Sequence, residues 1–302
     1  MKVEGTPSPW FGGKWEMPWL LDLFPDPEQI HTYVEPYGGM CGLMLRKMPS
    51  PVEVYNDVNS ALVTFWKAVR LYPDELARAV ELTPISYEEW SSAKAALREL
   101  KDTDGLDKDQ IVEVARQFIV MSRQSMAGAP GRSWQASVTH SRRGMASTCS
   151  AWLNLPETVV QCGQRFKSVQ IEHRPAVHVI KKYDTPKTLF YLDPPYMPET
   201  CKTGVYSASG GAEMSPADHA VMLRAIRDIE GSAVLSGYDS DLYNKWLDRW
   251  GWQTKEIEVP CRSAVTTSGS VAERTTRIEK VWYKYNDGMK PEAAKTLFCD
   301  NG

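Results

Sequence analysis

Short strand-like runs recur along the chain at His31 to Glu35, Pro51 to Tyr55, Val169 to Glu172, Leu189 to Leu192 and Ala233 to Ser236, and Leu189 to Leu192 and most of Ala233 to Ser236 are apolar without polar alternation. Such runs predict strands covered on both faces, as in a parallel sheet. Between them the spacing of apolar residues turns helical, from Leu43, over Val58 to Leu71, from Pro216 to about Ile229, and from Asp239 to Trp250. Ser215 followed by Pro216 is a cap and a first-turn proline. Glu256 to Val259 and Ile278 to Tyr285 predict an antiparallel pair that closes the sheet. From Asp74 to Met126 the pattern is helical, with starts at Asp74 and Ser86 and a strongly apolar face from Ile111 to Met121. Gly128 to Ser150 has little periodicity, and Ala151 to Phe166 looks helical. The chain thus reads as an α/β fold interrupted by a mainly helical insertion. Expected units are 1–72 with 168–286 for the sheet domain, 73–167 for the insertion, and a frayed tail over 287–302.

One strand ends in chemistry. Leu189 to Leu192 runs into Asp193-Pro194-Pro195-Tyr196, and ligands of parallel sheets sit just beyond the carboxyl ends of strands. Two prolines fix two φ angles and donate no N–H, so a carboxylate, a carbonyl and an aromatic ring are held in one geometry. That set suits an exocyclic amino group on a planar base. Hydrogen bonds from its two N–H groups to the Asp193 carboxylate and the Pro194 carbonyl would draw the delocalised lone pair back onto nitrogen, while Tyr196 stacks on the ring. The plain alternative is a surface turn.

Two further stretches suggest a cofactor. Trp10-Phe11-Gly12-Gly13-Lys14 sets a glycine pair between an aromatic and a cation. Glu35-Pro36-Tyr37-Gly38-Gly39-Met40-Cys41-Gly42 is a glycine-rich turn between strand and helix, where an α/β fold brings backbone close to a nucleotide-like ligand. Asp57 ends the next strand about twenty residues on, placed for ribose hydroxyls; it also reads as the N-cap of the following helix.

Composition narrows the setting. The 302 residues are 42% hydrophobic and 24% charged, ordinary for a soluble protein. No basic-then-apolar leader and no run of eighteen apolar residues is present, so neither secretion nor a membrane span is expected. Six scattered cysteines without a CxxC pair argue against a zinc site and a disulfide framework, and a reducing cytoplasm is expected. The net charge of −3 hides a segment from Arg123 to Lys182 with nine Lys or Arg against two acids. That segment is the expected DNA surface, with Arg123, Arg132, Arg142 and Arg143 as its candidates for contact. Arg165 and Lys167 are expected to touch only DNA backbone.

Trp10 to Lys14, Tyr33 to Leu45, Val54 to Asn59, Phe190 to Tyr196, Leu235 to Tyr243 and Arg277 to Trp282, in that order, resemble the D12 class of N6-adenine DNA methyltransferases, the Dam-like group and its phage-type members. The resemblance covers roughly Pro7 to Tyr285. It implies a Rossmann-like sheet with an inserted helical target-recognition subdomain, S-adenosylmethionine as methyl donor, no metal, and double-stranded DNA as partner, with a restriction enzyme as a further partner in some members. Carried over by position, Trp10, Gly12, Gly13, Lys14, Glu35, Tyr37, Gly39 and Asp57 match cofactor-binding positions, with Lys14 suited to the methionyl carboxylate and Asp57 to the ribose. Asp193 to Tyr196 match the catalytic tetrapeptide. Cys41 stands where many relatives have a second glycine, and Met121 to Trp134 lacks the asparagine-rich pattern of GATC readers. The expected reaction is direct methyl transfer to adenine N6 without a covalent enzyme intermediate, in the cytoplasm of a bacterial or phage-infected cell. The alternatives are cytosine N4, RNA adenine, or a catalytically silent DNA-binding regulator.

Overall fold

A computed structural model describes residues 3–10, 12–100, 102–126, 133–197, 213–260, 276–289 and 291. The strands are β1 (Thr32–Glu35), β2 (Val52–Asn56), β3 (Ser141–Arg142), β4 (Met145–Ala146), β5 (Val169–Glu172), β6 (Thr188–Leu192), β7 (Ser232–Gly237), β8 (Gln253–Pro260) and β9 (Thr276–Lys284). The helices are α1 (Gly42–Arg46), α2 (Ser60–Leu71), α3 (Pro73–Glu81), α4 (Tyr87–Glu99), α5 (Lys108–Arg123), α6 (Ser147–Trp152), α7 (Leu155–Phe166), α8 (Ala176–Tyr183), α9 (Pro216–Arg227) and α10 (Asp241–Leu247).

Seven strands form one sheet in the order β5-β2-β1-β6-β7-β9-β8, while β3 and β4 form a separate hairpin. All neighbours from β5 to β7 are parallel, and β9 pairs antiparallel with both β7 and β8. The chain winds outward from β1 through β2 to β5, then crosses back to β6 on the other side. That reversal between β1 and β6 opens a crevice at their carboxyl ends, where such sheets bind ligands.

Side chains of successive strand residues go to opposite faces. Tyr33, Tyr55 and Tyr191 join a buried layer with Leu43, Trp66, Phe118 and Phe166 from α1, α2, α5 and α7. Val34, Val54, Phe190 and Leu235 join the other layer with Ile180, Met222 and Leu247 from α8, α9 and α10. Trp66 stacks on Phe166 with centroids 4.2 Å apart, so α7, within the expected 73–167 insertion, shares the sheet's core.

Two local expectations need correction and one is refined. The helical stretch Ala151 to Phe166 is divided between α6 and α7, because Pro156 lacks the N–H that would continue the ladder and its ring would meet the carbonyl four residues earlier. The N-cap of α2 is Asn59, whose side chain accepts from the Leu62 N–H, and not Asp57. The start of the tail does not fray: Met289 is buried, and the Asn286 side-chain amide just before it donates to the carbonyls of Pro186 and Glu230 at 3.2 and 2.6 Å, while 292–302 lie outside the described residues. Helix α8, eight residues long, was not predicted. Among the described residues, no helix is long and apolar enough to cross a membrane.

Candidate active site

The glycine turn is tied down from below by β2. The Asn56 carbonyl accepts from Gly38 N–H at 2.7 Å, and its side-chain amide donates to the Pro36 carbonyl at 2.8 Å. The Gly39 carbonyl accepts from Tyr55 Oη and Trp66 Nε1 at 3.1 and 3.0 Å, while the Gly39 N–H donates to Asp57 Oδ2 at 3.0 Å. Asp57 thus already braces the turn it was expected to share with a ribose. Burial pushes its carboxyl up, against the N–H groups of Asn59 and Gly39 that pull it down.

Glycine is required at three places here. A Cβ on Gly38 would lie 2.3 Å from the Tyr55 ring, and one on Gly42 2.6 Å from the Trp15 backbone nitrogen. Gly39 has φ +50°, with Trp10 Nε1 2.8 Å from where a Cβ would stand. Cys41 itself adopts a left-handed φ of 39°, so the backbone keeps the glycine-like bend where the sequence departs from many relatives. Gly39→Ala combines a left-handed strain of about 1–2 kcal/mol with displacement of Trp10. Calorimetry should show cofactor affinity falling by about tenfold or more, and unchanged affinity would separate the turn from the cofactor site.

Glu35, at the end of β1, is buried. Its Oε1 accepts from Tyr33 Oη at 2.7 Å and from the Met44 N–H of α1 at 2.9 Å. Burial pushes its carboxyl up to about 8, only partly offset by those two donors. Between its unfolded value near 4.5 and about 8 the folded chain therefore keeps a proton that the unfolded chain has lost, and stability falls as pH rises through that window. Glu35→Gln removes this dependence. Its melting temperature should rise relative to the parent from pH 5 to 8, by up to about 1.4 kcal/mol of stability per pH unit. Parallel pH profiles for the two proteins would contradict the assignment.

The tetrapeptide lies at the end of β6, beside β1 and β7. Tyr196 is buried, and Asp193 keeps 19% of its side chain exposed. Both Asp193 carboxylate oxygens accept from Lys14 Nζ, each at 2.8 Å; the same ammonium donates to the Gly12 carbonyl at 2.6 Å and to Tyr196 Oη at 2.9 Å. Gly12, with φ +66°, and Gly13, whose N–H closes a turn on the Trp10 carbonyl at 3.1 Å, deliver Lys14 into this position. Lys14 therefore faces the Asp193 carboxylate, whereas the sequence pointed it only toward a cofactor. Burial lifts Asp193 above the usual carboxylate range, Lys14 pulls it down, and Glu279 adds an upward push.

Sequence reasoning missed the far wall of this site. Tyr196 Oη donates to Glu279 Oε2 of β9 at 3.1 Å; Glu279 is 1% exposed and pairs with Arg277 at 3.0 Å. Tyr238 packs edge-on against Tyr196 with centroids 4.6 Å apart, and the Arg277 guanidinium lies 5.6 Å from the Tyr238 ring. The pattern of β9 showed a strand but not that Gly237 pairs with Lys280, which brings Glu279 beside the carboxyl end of β7. Tyr37 is half-buried and packs on the α8–α10 side.

The expected DNA arginines separate. Arg142 and Arg143 are exposed at the β3–β4 hairpin, whose turn has φ +56° at Arg143 and +74° at Gly144. Arg123 is instead turned inward and donates to the carbonyls of Pro7 and Thr6, each at 2.9 Å, which ties the N-terminal segment to α5. Arg165, expected to touch only DNA backbone, keeps 9% of its side chain exposed and is held by Glu53 at 2.5 and 2.8 Å, within a cluster that includes Lys47. Arg132 and the Ser/Thr-rich loop over 262–275 lie outside the described residues.

No group of three His, Cys, Asp or Glu is placed to hold a metal among the described residues. No curated protein matches the chain. A family model does, over residues 10–260, which includes the Lys14 turn, the glycine turn, the insertion and the tetrapeptide. The chain belongs to the D12 class N6 adenine-specific DNA methyltransferases.

Proposed function

We propose that Asp193, Pro194 and Tyr196 take a target adenine lifted out of duplex DNA, and that Lys14 leaves the Asp193 carboxylate as the base enters. The observation that carries this reading is the pair of 2.8 Å contacts: an ammonium sits on the two oxygens that an exocyclic amine would use. A buried carboxylate left without a partner is costly, so Lys14 keeps the site charge-balanced until an N–H donor replaces it. Asp193 and the Pro194 carbonyl then orient the amine and localise its lone pair, with Tyr196 and Tyr238 as walls. Asp193, lifted by burial, is the nearest acceptor for the proton that nitrogen gives up.

The family's S-adenosylmethionine supplies the electrophilic methyl group when bound. The residues fit it. A buried carboxyl at Glu35, which a neighbouring ammonium would ionise, suits that end of the cofactor, the Gly38–Gly39 turn leaves no room for side chains, Asp57 suits hydroxyls, and Lys14 released from Asp193 suits a carboxylate. The exposed hairpin bearing Arg142 and Arg143 is placed to meet phosphates or base edges, and the 73–167 helices that carry it act as the recognition unit. We place the enzyme with its DNA in the cytoplasm of a bacterial or phage-infected cell, with a restriction enzyme of the same site as a candidate partner.

Calorimetry on Asp57→Ala and Lys14→Ala tests the cofactor half. Each should weaken S-adenosylmethionine by about tenfold with smaller change in DNA affinity. Unchanged cofactor affinity in both would place the pocket elsewhere.

A further inference from the structure

At the opposite, amino-terminal end of the parallel strands lies a second concave site that the methyl-transfer reaction does not use. The last turn of α9 leads down into β7, and α10 with the following turn Asp248–Trp250 leads into β8, whose first residues lie beside the start of β7 through β9. Between these helix ends is a groove of about 460 Å³ lined by Arg224, Arg227, Lys245, Trp246, Arg249 and Trp250. Six-residue β7 separates it from the catalytic edge by about 20 Å.

Its composition is not that of an ordinary solvated face. From Pro216 to Trp252 the sequence has four Lys or Arg against six Asp or Glu, yet all four cations line this one groove. Arg227 pairs with Asp228 at 2.6 Å, and Asp239 pairs with Lys280 at 2.7 Å. Arg224, Lys245 and Arg249 have no carboxylate partner among the described residues. The two indoles meet edge-on with centroids 5.4 Å apart, and the Arg224 guanidinium lies 5.3 Å from the Trp246 ring.

We propose that this groove binds single-stranded nucleic acid, with phosphates on Lys245 and Arg249 and a base against the Trp246–Arg224 platform. Unpartnered cations call for a polyanion, and planar indole and guanidinium surfaces call for an exposed π-face. A duplex keeps its base faces stacked inside and would use only the cations. An acidic peptide has no use for the indole pair. The groove's volume suits about one nucleotide, so neighbouring phosphates would reach the cations at its rim.

The test uses the full chain and a fluorescent oligothymidine of about eight nucleotides, followed by anisotropy across a salt series and by quenching of tryptophan emission. Parent protein should bind, and saturating duplex should leave that binding in place, because the two sites are at opposite ends of the sheet. Lys245→Ala/Arg249→Ala, both exposed positions, should weaken the oligomer about tenfold and lower the salt slope by about 1.4, two single-strand phosphates' worth. Trp246→Phe should keep most affinity and Trp246→Ala should lose it. Duplex methylation should be unchanged in the double variant. The proposal is overturned if the double variant binds oligothymidine as the parent does, if duplex displaces the oligomer, or if polyglutamate of equal length binds with the same sensitivity to the variants.

Discussion

Asp193→Asn should lower methyl transfer by about a hundredfold to a thousandfold, as loss of a charged transition-state partner does elsewhere, while cofactor and duplex affinities stay near those of the parent. Asparagine keeps the shape of the side chain and one carbonyl oxygen, so Lys14 retains an acceptor and the fold is spared. Asp193→Ala should be worse on both counts. It removes the acceptor for the amine and leaves Lys14, 3% exposed, as a buried cation with only the Gly12 carbonyl and Tyr196 as partners. Breaking one side of such a pair costs about 3–5 kcal/mol where it is fully buried, and the partial exposure of Asp193 sets the expectation at the lower end. Single-turnover rates together with thermal melts separate the two effects. Full activity in the asparagine variant would remove Asp193 from the chemistry.

Glu279→Ala should lower kcat by about tenfold to a hundredfold with little change in the dissociation constant for cofactor. Glu279 holds Tyr196 through its hydroxyl and is itself fixed by Arg277. Without it the Tyr196 ring, proposed to face the base, loses its outer anchor, and a misplaced positioning group costs rate more than affinity. Glu279→Gln still accepts from Tyr196 and should recover most of the loss. Fluorescence of 2-aminopurine at the target position adds a readout of base placement: it should drop in the alanine variant and return in the glutamine one. A general destabilisation would lower the melting temperature of both variants while leaving the fluorescence of folded complexes unaltered.

The parts of the molecule that were legible beforehand are those with a local physical signature. Leu189 to Leu192 had to be covered on both faces because it has no polar alternation, and Thr188–Leu192 is buried throughout. Ser215 and Pro216 announced the start of α9, and the capping box with Asp218 is present. The glycine turn and the tetrapeptide were visible because each needs unusual backbone, positive φ in one and two ring-locked residues in the other. What stayed hidden depends on register and on long-range pairing. Nothing near Lys14 in the sequence indicates a contact across 179 positions to Asp193. Glu279 looked like one polar residue in the closing antiparallel pair until the register set it beside the tetrapeptide. Charge counting over Arg123 to Lys182 treated all cations as surface, whereas Arg123 and Arg165 spend theirs on buried carbonyls and a buried carboxylate.

The central claim is that the Asp193–Tyr196 site methylates adenine N6. Its most direct test is nucleoside analysis of duplex DNA after incubation with the purified protein and isotopically labelled S-adenosylmethionine, in parallel with Asp193→Asn. The account predicts label in N6-methyldeoxyadenosine with the parent and a trace at most with the variant. Label in N4-methyldeoxycytidine, or equal yield from both proteins, would contradict it.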